Sequence, residues 1–371
     1  MVVAVRPPPQ KSATPQIRVL PLDTIQSKDI LSHPRDLGFG RHFTDRMFMV
    51  DYEDGKWKEA SIKKLESLAL HPATSVFHYA QAIFEGMKAF RQVNGRVVLF
   101  RPDRNVARFN ETAERMCMPQ IDPLLFLEGL KRLVSLEKDW VPSGDDCSLY
   151  IRPTYIATDP VLGVRPSSKC SFFIILSPSG PYFKDGFKPI KIFVTDKFVR
   201  AAPGGVGGVK AAANYAPSLK AMEEAAKYGA PQVLWLDAIK RKYIEEVGSM
   251  NVFIVKDGIA HTAPLKGTIL PGVTRESVLT ICTDLGIPAA EKPLTITSVI
   301  QGIRDGSVTE IFGAGTAAVI APIGELIYKE KELVVNDFKT GEISARLYNY
   351  FNDLRRGTIP DHHGWIVSVD T

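Results

Sequence analysis

The stretch Ala201-Ala202-Pro203-Gly204-Gly205-Val206-Gly207-Gly208-Val209-Lys210-Ala211-Ala212-Ala213-Asn214-Tyr215-Ala216-Pro217 sets one lysine among residues too small to crowd it. Five residues before Lys210 are Gly or Pro, and three alanines follow it. A flat, bulky group could lie against such a lysine. Glycine there lets backbone approach closely or adopt positive φ. An apolar surround disfavours the ammonium form, which is what an amine nucleophile or Schiff-base former requires. A solvated loop lysine would look the same from this stretch alone.

Other residues offer complementary chemistry. Leu270-Pro271-Gly272-Val273-Thr274 reads as a turn into a helix beginning near Val273, whose first N–H groups favour an anion. Gly313-Ala314-Gly315-Thr316-Ala317-Ala318 is a glycine turn ending in a hydroxyl. Arg108 lies on a helical segment, where a lone arginine is more often at the surface. In Glu245-Glu246-Val247-Gly248-Ser249-Met250-Asn251, adjacent carboxylates on a strand must point to opposite faces. If one is buried, it needs a cationic partner; both could instead face solvent.

Two nucleotide patterns fail. Gly204 to Lys210 lacks phosphate-loop spacing, because Val209 separates Gly208 from Lys210 and Ala211 stands where a hydroxyl belongs. Gly313 to Ala318 fits G-x-G-x-x-A, but Ala318-Val319-Ile320-Ala321-Pro322-Ile323 reads as strand rather than helix. An amine for an imine, amides for a phosphate and an acid for a protonated ring nitrogen together match the needs of pyridoxal phosphate.

The elements positioning these groups are mixed. After Lys210 the sequence predicts a helix capped by Asn214, with Leu219, Met222 and Ala226 as its apolar face and Gly229 at its end. Residues 1–35 read as a loose arm. Hairpins are predicted around Glu53-Asp54-Gly55 and Asn94-Gly95. Helices are predicted over 103–118, 123–138, 274–285 and 298–305, and strands over 148–157, 169–177, 191–199, 232–236, 243–255, 308–312 and 317–322. The fold class is therefore α/β in the mixed α+β sense, with antiparallel sheets and packed helices. The Pro- and Gly-rich run 178–190 is expected to link an N-terminal domain, 1–177, to a C-terminal domain, 191–371.

With 371 residues, 45% of them hydrophobic and 23% charged, the chain can bury a sizeable core. A formal charge of +5 without a basic block gives no sign of nucleic-acid or membrane binding. The four scattered cysteines lack metal spacing and predict reduced thiols. No metal is expected. The N-terminal residues lack a signal-peptide core, and the expected location is the cytoplasm, a mitochondrial presequence being the alternative.

From Phe39-Gly40 to Trp365 the chain resembles the fold-type IV pyridoxal-phosphate aminotransferases, and among them the branched-chain amino acid aminotransferases. The matching blocks are FHYAQAIFEGMKAF (77–90), the helix ending in Arg108, LYIRP (149–153), GVKAAANYAPS (208–218), QVLWL (232–236), EEVGSMNVF (245–253), ILPGVTR (269–275) and FGAGTAA (312–318). The resemblance implies a smaller N-terminal α/β domain, a larger C-terminal domain with a β-barrel-like sheet, and a homodimer. It implies transamination of leucine, isoleucine and valine with 2-oxoglutarate. The substrates would be amino acids and 2-oxo acids, and the pathway branched-chain amino acid biosynthesis.

Carried over, Lys210 would hold the cofactor as an imine and act as acid and base, while Glu246 would pair with the ring nitrogen. Tyr215 would bond the ring oxygen, with Ser249 and Asn251 nearby. Arg108, Thr316 and the amides of Val273 and Thr274 would bind the phosphate. Phe39, Tyr79, Phe84, Tyr150 and Tyr182 would wall the substrate pocket, with Val164 from a partner subunit. Tyr150 and Arg152 would meet the glutamate carboxylate; Thr316, Ala317 and Ala318 would hold the α-carboxylate. Some relatives carry C-x-x-C after this turn. Here those positions are Ala318 and Ala321, so thiol control is not expected. Alternatives are a D-amino acid aminotransferase, an aminodeoxychorismate lyase, or a non-catalytic binder of a phosphate ligand on the same scaffold.

Overall fold

A computed structural model describes residues 15–144, 146–180 and 186–369. Two sheets carry the site. The first has ten strands, with Ser148–Ala157 and Cys170–Ser179 paired along their length near its middle. Alternation along Ser148–Ala157 gives its two faces different tasks. Leu149, Ile151 and Tyr155 enter the core, whereas Tyr150, Arg152 and Thr154 point into a cavity.

Three helices belong to this part: α1 (Ser75–Tyr79), α2 (Pro102–Arg115) and α3 (Pro123–Leu136). Val106, Phe109 and Ala113 of α2 join Phe126 of α3 and Phe48 and Phe172 of the sheet in one core. Phe109 stacks edge-on to Phe126 and Phe172, each at 5.2 Å between ring centroids. A second stripe of α2, Asn105, Arg108 and Thr112, is also buried. That polar stripe, at helical spacing, faces the site. Of the three arginines on this helix, Arg108 is thus interior, against the usual expectation.

The second sheet has nine strands. Six of them close a barrel-like ring: Ile244–Val247, Gln232–Leu236, Ile190–Val194, Val319–Tyr328, Val308–Gly315 and Met250–Lys256, the last pairing back to the first. Around it lie α4 (Leu219–Ala226), α5 (Val273–Asp284), α6 (Ile296–Asp305) and α7 (Glu342–Arg356). The fold is mixed α/β, as the sequence implied.

Several local expectations need correction. Asn214 does not cap a helix: α4 begins only at Leu219, after two short 3-10 turns. Its amide instead donates to the carbonyls of Val206 (2.7 Å) and Val209 (2.8 Å), stapling the lysine loop. The buried face of α4 is Ala221 and Ala225, packed with Val233 and Trp235, while Leu219 and Met222 are 64% and 38% exposed. Small side chains let the helix lie close to its strand, so hydrophobicity alone misassigned the face. Within the supposed loose arm, Ile17–Val19 is a strand, paired in parallel with Ala60–Lys64. Ile190–Val194 is also parallel to both its neighbours. The strand expected to stop at Ser177 continues through Pro178 and Ser179, which pair with Leu149 and Ser148. Strand Ile366–Ser368 returns to the first sheet beside Val97–Phe100.

Candidate active site

A cavity of about 490 Å³ opens between the two sheets. Lys210 reaches it from the loop that the sequence singled out. The loop is fixed from both sides: Phe84 N–H donates to Lys210 O (3.2 Å), and Lys210 N–H donates to Thr112 Oγ1 (3.2 Å) on α2. The glycines serve close approach more than unusual dihedrals. A Cβ on Gly207 would lie 2.6 Å from Thr268 O, and one on Gly208 would lie 3.0 Å from Gly267 O. In the cavity, Lys210 Nζ donates to Tyr215 Oη at 3.0 Å and stands 4.7 Å from the Phe84 ring centroid.

One end of the cavity suits an anion. The entry to α5 presents Val273 and Thr274, whose N–H groups have no acceptor within their own helix. Gly272 is required there, since a Cβ would fall 2.1 Å from Asn251 Oδ1. Arg108 also lines this end and donates through Nη1 to Pro271 O at 3.0 Å. Its Nε and Nη2 donate to the two oxygens of Glu85, at 2.7 and 2.8 Å. Glu85 is fully buried and also accepts from Asn105 Nδ2 and Gly86 N–H. Burial alone would raise the Glu85 carboxyl, but the Arg108 guanidinium and these donors hold it below its usual value.

Opposite lies the acid. Glu246 is buried, and its Oε1 accepts from Asn251 Nδ2 and Leu270 N–H, each at 3.1 Å. Its other oxygen pairs with Arg200. Burial pushes this carboxyl up to about 7, opposed by Arg200 and the Leu270 amide, while Lys210 also acts to lower it. Glu246 stands behind Asn251 and Leu270 rather than in the cavity lining. Glu245 accepts from Thr268 Oγ1 at 2.6 Å, so the reading in which both carboxylates face solvent does not hold.

At the other end, Arg152 Nη2 donates to Tyr150 Oη at 2.9 Å, and its guanidinium lies 4.7 Å from the Phe84 ring centroid. Phe39 meets Tyr150 edge-on at 4.7 Å. Thr316, Ala317 and Ser249 complete the wall. The Gly313–Ala318 turn joins two antiparallel strands rather than strand to helix, which disposes of the dinucleotide pattern.

The cavity therefore gathers Lys210, Arg108, Tyr215, Ser249, Asn251, Val273, Thr274, Thr316, Phe39, Phe84, Tyr150, Arg152 and Ala317. Ala318 faces a different cavity. Tyr79 is on the surface, where its hydroxyl donates to Leu162 O, and Val164 is 82% exposed. Tyr182 lies outside the described residues. Sequence reasoning missed Glu85, Thr112 and Arg200. The visible sign of the first was an acid inside an apolar block, IFEGM; nothing comparable marked the other two. Among the described residues no cluster could hold a metal ion.

Comparison with known proteins decides the family. Residues 82–326 match the description Amino-transferase class IV. The chain belongs to the class IV aminotransferases. Members of this family depend on pyridoxal phosphate. This class IV chain is 50% identical over 338 residues to branched-chain-amino-acid transaminase 1 of Bacillus subtilis, covering 91% of this chain and 95% of that one. It is 48% identical over 337 residues to branched-chain-amino-acid aminotransferase 2 of the same organism, covering 91% and 93%. The crystal structure of the Escherichia coli branched-chain amino acid aminotransferase superposes with a TM-score of 0.75 at 26% identity, covering 88% of this chain and 99% of that one.

Proposed function

We propose that the chain is a pyridoxal-phosphate-dependent transaminase that passes the amino group of leucine, isoleucine or valine to 2-oxoglutarate, giving the branched 2-oxo acid and glutamate. The observation that carries this reading is the Lys210 amine, 3.0 Å from Tyr215 Oη. It sits between an anion-binding helix start and an aromatic pocket containing one arginine. Two relatives near half identity carry names that specify transamination of branched-chain amino acids.

The residues suit the cofactor. Glycine at 272, the α5 entry and Arg108 form a cradle for phosphate. Pyridoxal phosphate, when bound, supplies an aldehyde for the lysine amine and a ring that draws electrons from the substrate's α carbon. Once freed by the substrate amine, Lys210 Nζ would take the α proton and pass it to the carbon that carried the aldehyde, and with 2-oxoglutarate would move a proton in the opposite direction. Tyr215 Oη orients Nζ. Glu246, held behind the cavity wall by Arg200, Asn251 and Leu270, would offer its negative charge to a protonated ring nitrogen from there. Phe39, Phe84 and Tyr150 receive a branched aliphatic side chain, and Arg152 with Tyr150 Oη receives the second carboxylate of glutamate. The Thr316 and Ala317 amides hold the α-carboxylate.

We read the two sheets as the cores of a smaller N-terminal and a larger C-terminal domain joined through 178–190. A second copy would cover Tyr79 and the exposed Leu162 and Val164, giving a homodimer in which Val164 enters the neighbouring site. The reduced cysteines fit a cytoplasmic enzyme. Among the described residues no helix is long and apolar enough to cross a membrane.

Lys210→Ala tests the assignment. Leucine-dependent formation of the branched 2-oxo acid should vanish, while pyridoxal phosphate is still retained on ultrafiltration through its phosphate contacts. Appreciable turnover by that variant would refute it. Turnover of D-alanine in preference to L-leucine would move the chain to another member of the family.

A further inference from the structure

A second cavity of about 490 Å³ lies behind the Gly315–Ala318 turn, and Ala317 lines both cavities. Four cations line it, and two of them, Lys88 and Arg355, are the most enclosed. Lys88 Nζ donates to Ala317 O at 2.6 Å, so one bond connects this cavity to the turn. Arg355, in the last turn of α7, is only 5% exposed. Its guanidinium is enclosed by the rings of Phe90, Phe100 and Phe351, with centroids at 5.0, 5.1 and 4.9 Å.

Those rings and the helix C-terminus stabilise positive charge, but ring faces give the N–H edge no good acceptor. Arg355 Nε is buried without a hydrogen-bond partner. No carboxylate among the described residues forms an ion pair with Arg355. Two acids share the lining but bond neutral hydroxyls rather than these cations: Asp146 accepts from Tyr348 Oη, and Asp353 accepts from Thr358 Oγ1 at 3.0 Å. Arg91 is also taken, donating to Lys138 O at 2.7 Å. Burial pushes Lys88 down to about 7, helped by Arg355, and pushes Arg355 down to about 9 against the opposing pull of Tyr348 and Asp146. Asp146 acts on both cations without bonding either, so they lack a directly bonded counter-charge, which is costly away from water and which an added anion would supply.

We infer that this cavity is a second anion site, taking a small carboxylate whose apolar tail lies against Phe90 and the stacked Phe187 and Tyr348 rings, and that Lys88 couples it to the Thr316–Ala317 turn. The volume suits such a molecule. A carboxylate that draws the Lys88 ammonium from Ala317 O frees the turn. The coupling rests on the reading that this turn holds the substrate carboxylate; binding in the cavity does not.

The test uses 4-fluorobenzoate with the holoenzyme, following bound probe by fluorine NMR and leucine KM by steady-state assay. Two variants, Arg355→Met and Lys88→Gln, accompany the wild type. Exchanging a buried unpaired cation for an apolar side chain is neutral or stabilising, so Arg355→Met should melt no lower than wild type and keep its basal leucine turnover. The expected result is saturable binding to wild type that weakens at least about tenfold in both variants, since each loses a charge-assisted contact. In wild type the probe should raise leucine KM by a saturating factor, and in Arg355→Met this effect should disappear. Equal affinity in wild type and variants would overturn the site, as would inhibition that is strictly competitive with leucine and unchanged in Arg355→Met. Loss of binding in the variants with leucine KM unaffected by the probe would overturn the coupling. Because the NMR arm needs no turnover, failure of the transaminase reading would be seen separately.

Discussion

Glu85→Gln should be among the most damaging single-atom changes in the protein, although the residue was not expected to matter. The substitution keeps shape and removes one charge from a fully buried carboxyl. Oε1 accepts from Arg108 Nε, and Oε2 accepts from Arg108 Nη2, Asn105 Nδ2 and Gly86 N–H. A glutamine can keep the three bonds at Oε2 only by turning its amide against Arg108 Nε, donor against donor. The flipped amide loses three. In either case a buried guanidinium loses its counter-charge, a loss of about 3–5 kcal/mol. With a urea dependence near 3 kcal/mol/M, the unfolding midpoint of the cofactor-free chain should fall by roughly 1 M or more. A cycle with Arg108→Met separates the pair from its surroundings. The double variant should be more stable than Glu85→Gln alone, because no unpaired charge remains. The pH dependence has a definite sign. Glu85 is held below its unfolded value, so its stabilisation is present above about pH 4.5 and lost as pH falls through the folded pKa. Wild type and Glu85→Gln should therefore differ most above that pH and converge below it. A loss under about 1 kcal/mol, or single-variant losses that simply add, would refute the reasoning.

Gly86→Ala would place a Cβ 2.3 Å from Tyr150 Oη, a residue already held between Phe39 and Arg152. Overpacking of this kind costs about 1–3 kcal/mol, and kcat/KM for leucine and glutamate should both fall; wild-type kinetics would mean that Tyr150 yields freely. Arg152→Ala should weaken glutamate about ten- to a hundredfold more than leucine, as the loss of a charged hydrogen bond implies, and equal losses would indicate a structural role instead. Glu246 is raised to about 7, so its stabilisation is full below about pH 4.5 and is lost as pH rises through 7. In the cofactor-free chain that amounts to about 3 kcal/mol. Glu246→Gln should flatten this fall in a urea-midpoint series, and an unchanged slope would count against the buried acid.

What could be read from the sequence was what is local. Lys210 stood out because nothing near it is large, and the turn at Asn94-Gly95 because only a few residue pairs favour positive φ; Gly95 has φ +85. Pro322 argued against a helix after Gly315, and a strand follows. Less legible was which of two permitted uses a residue would serve. Asn214 can cap a helix or staple a loop, and the carbonyls of Val206 and Val209 were within reach only once the glycines folded. Not legible were the ion pairs around the cavity. Glu85 meets Arg108 across 23 positions and Arg101 meets Glu276 across 175, the latter at 2.8 Å. No periodicity connects such partners, because the fold, not the chain's local order, makes them neighbours. Yet one of these acids, Glu85, is where a cavity with an anion-suited end would need one. Of these arginines only Arg108 lines the cavity, at the end that suits an anion, and the buried Glu85 balances its charge before an anion arrives. A buried acid beside an expected anion site is thus the feature to seek first in a sequence of this kind, since it keeps the site folded before its ligand arrives.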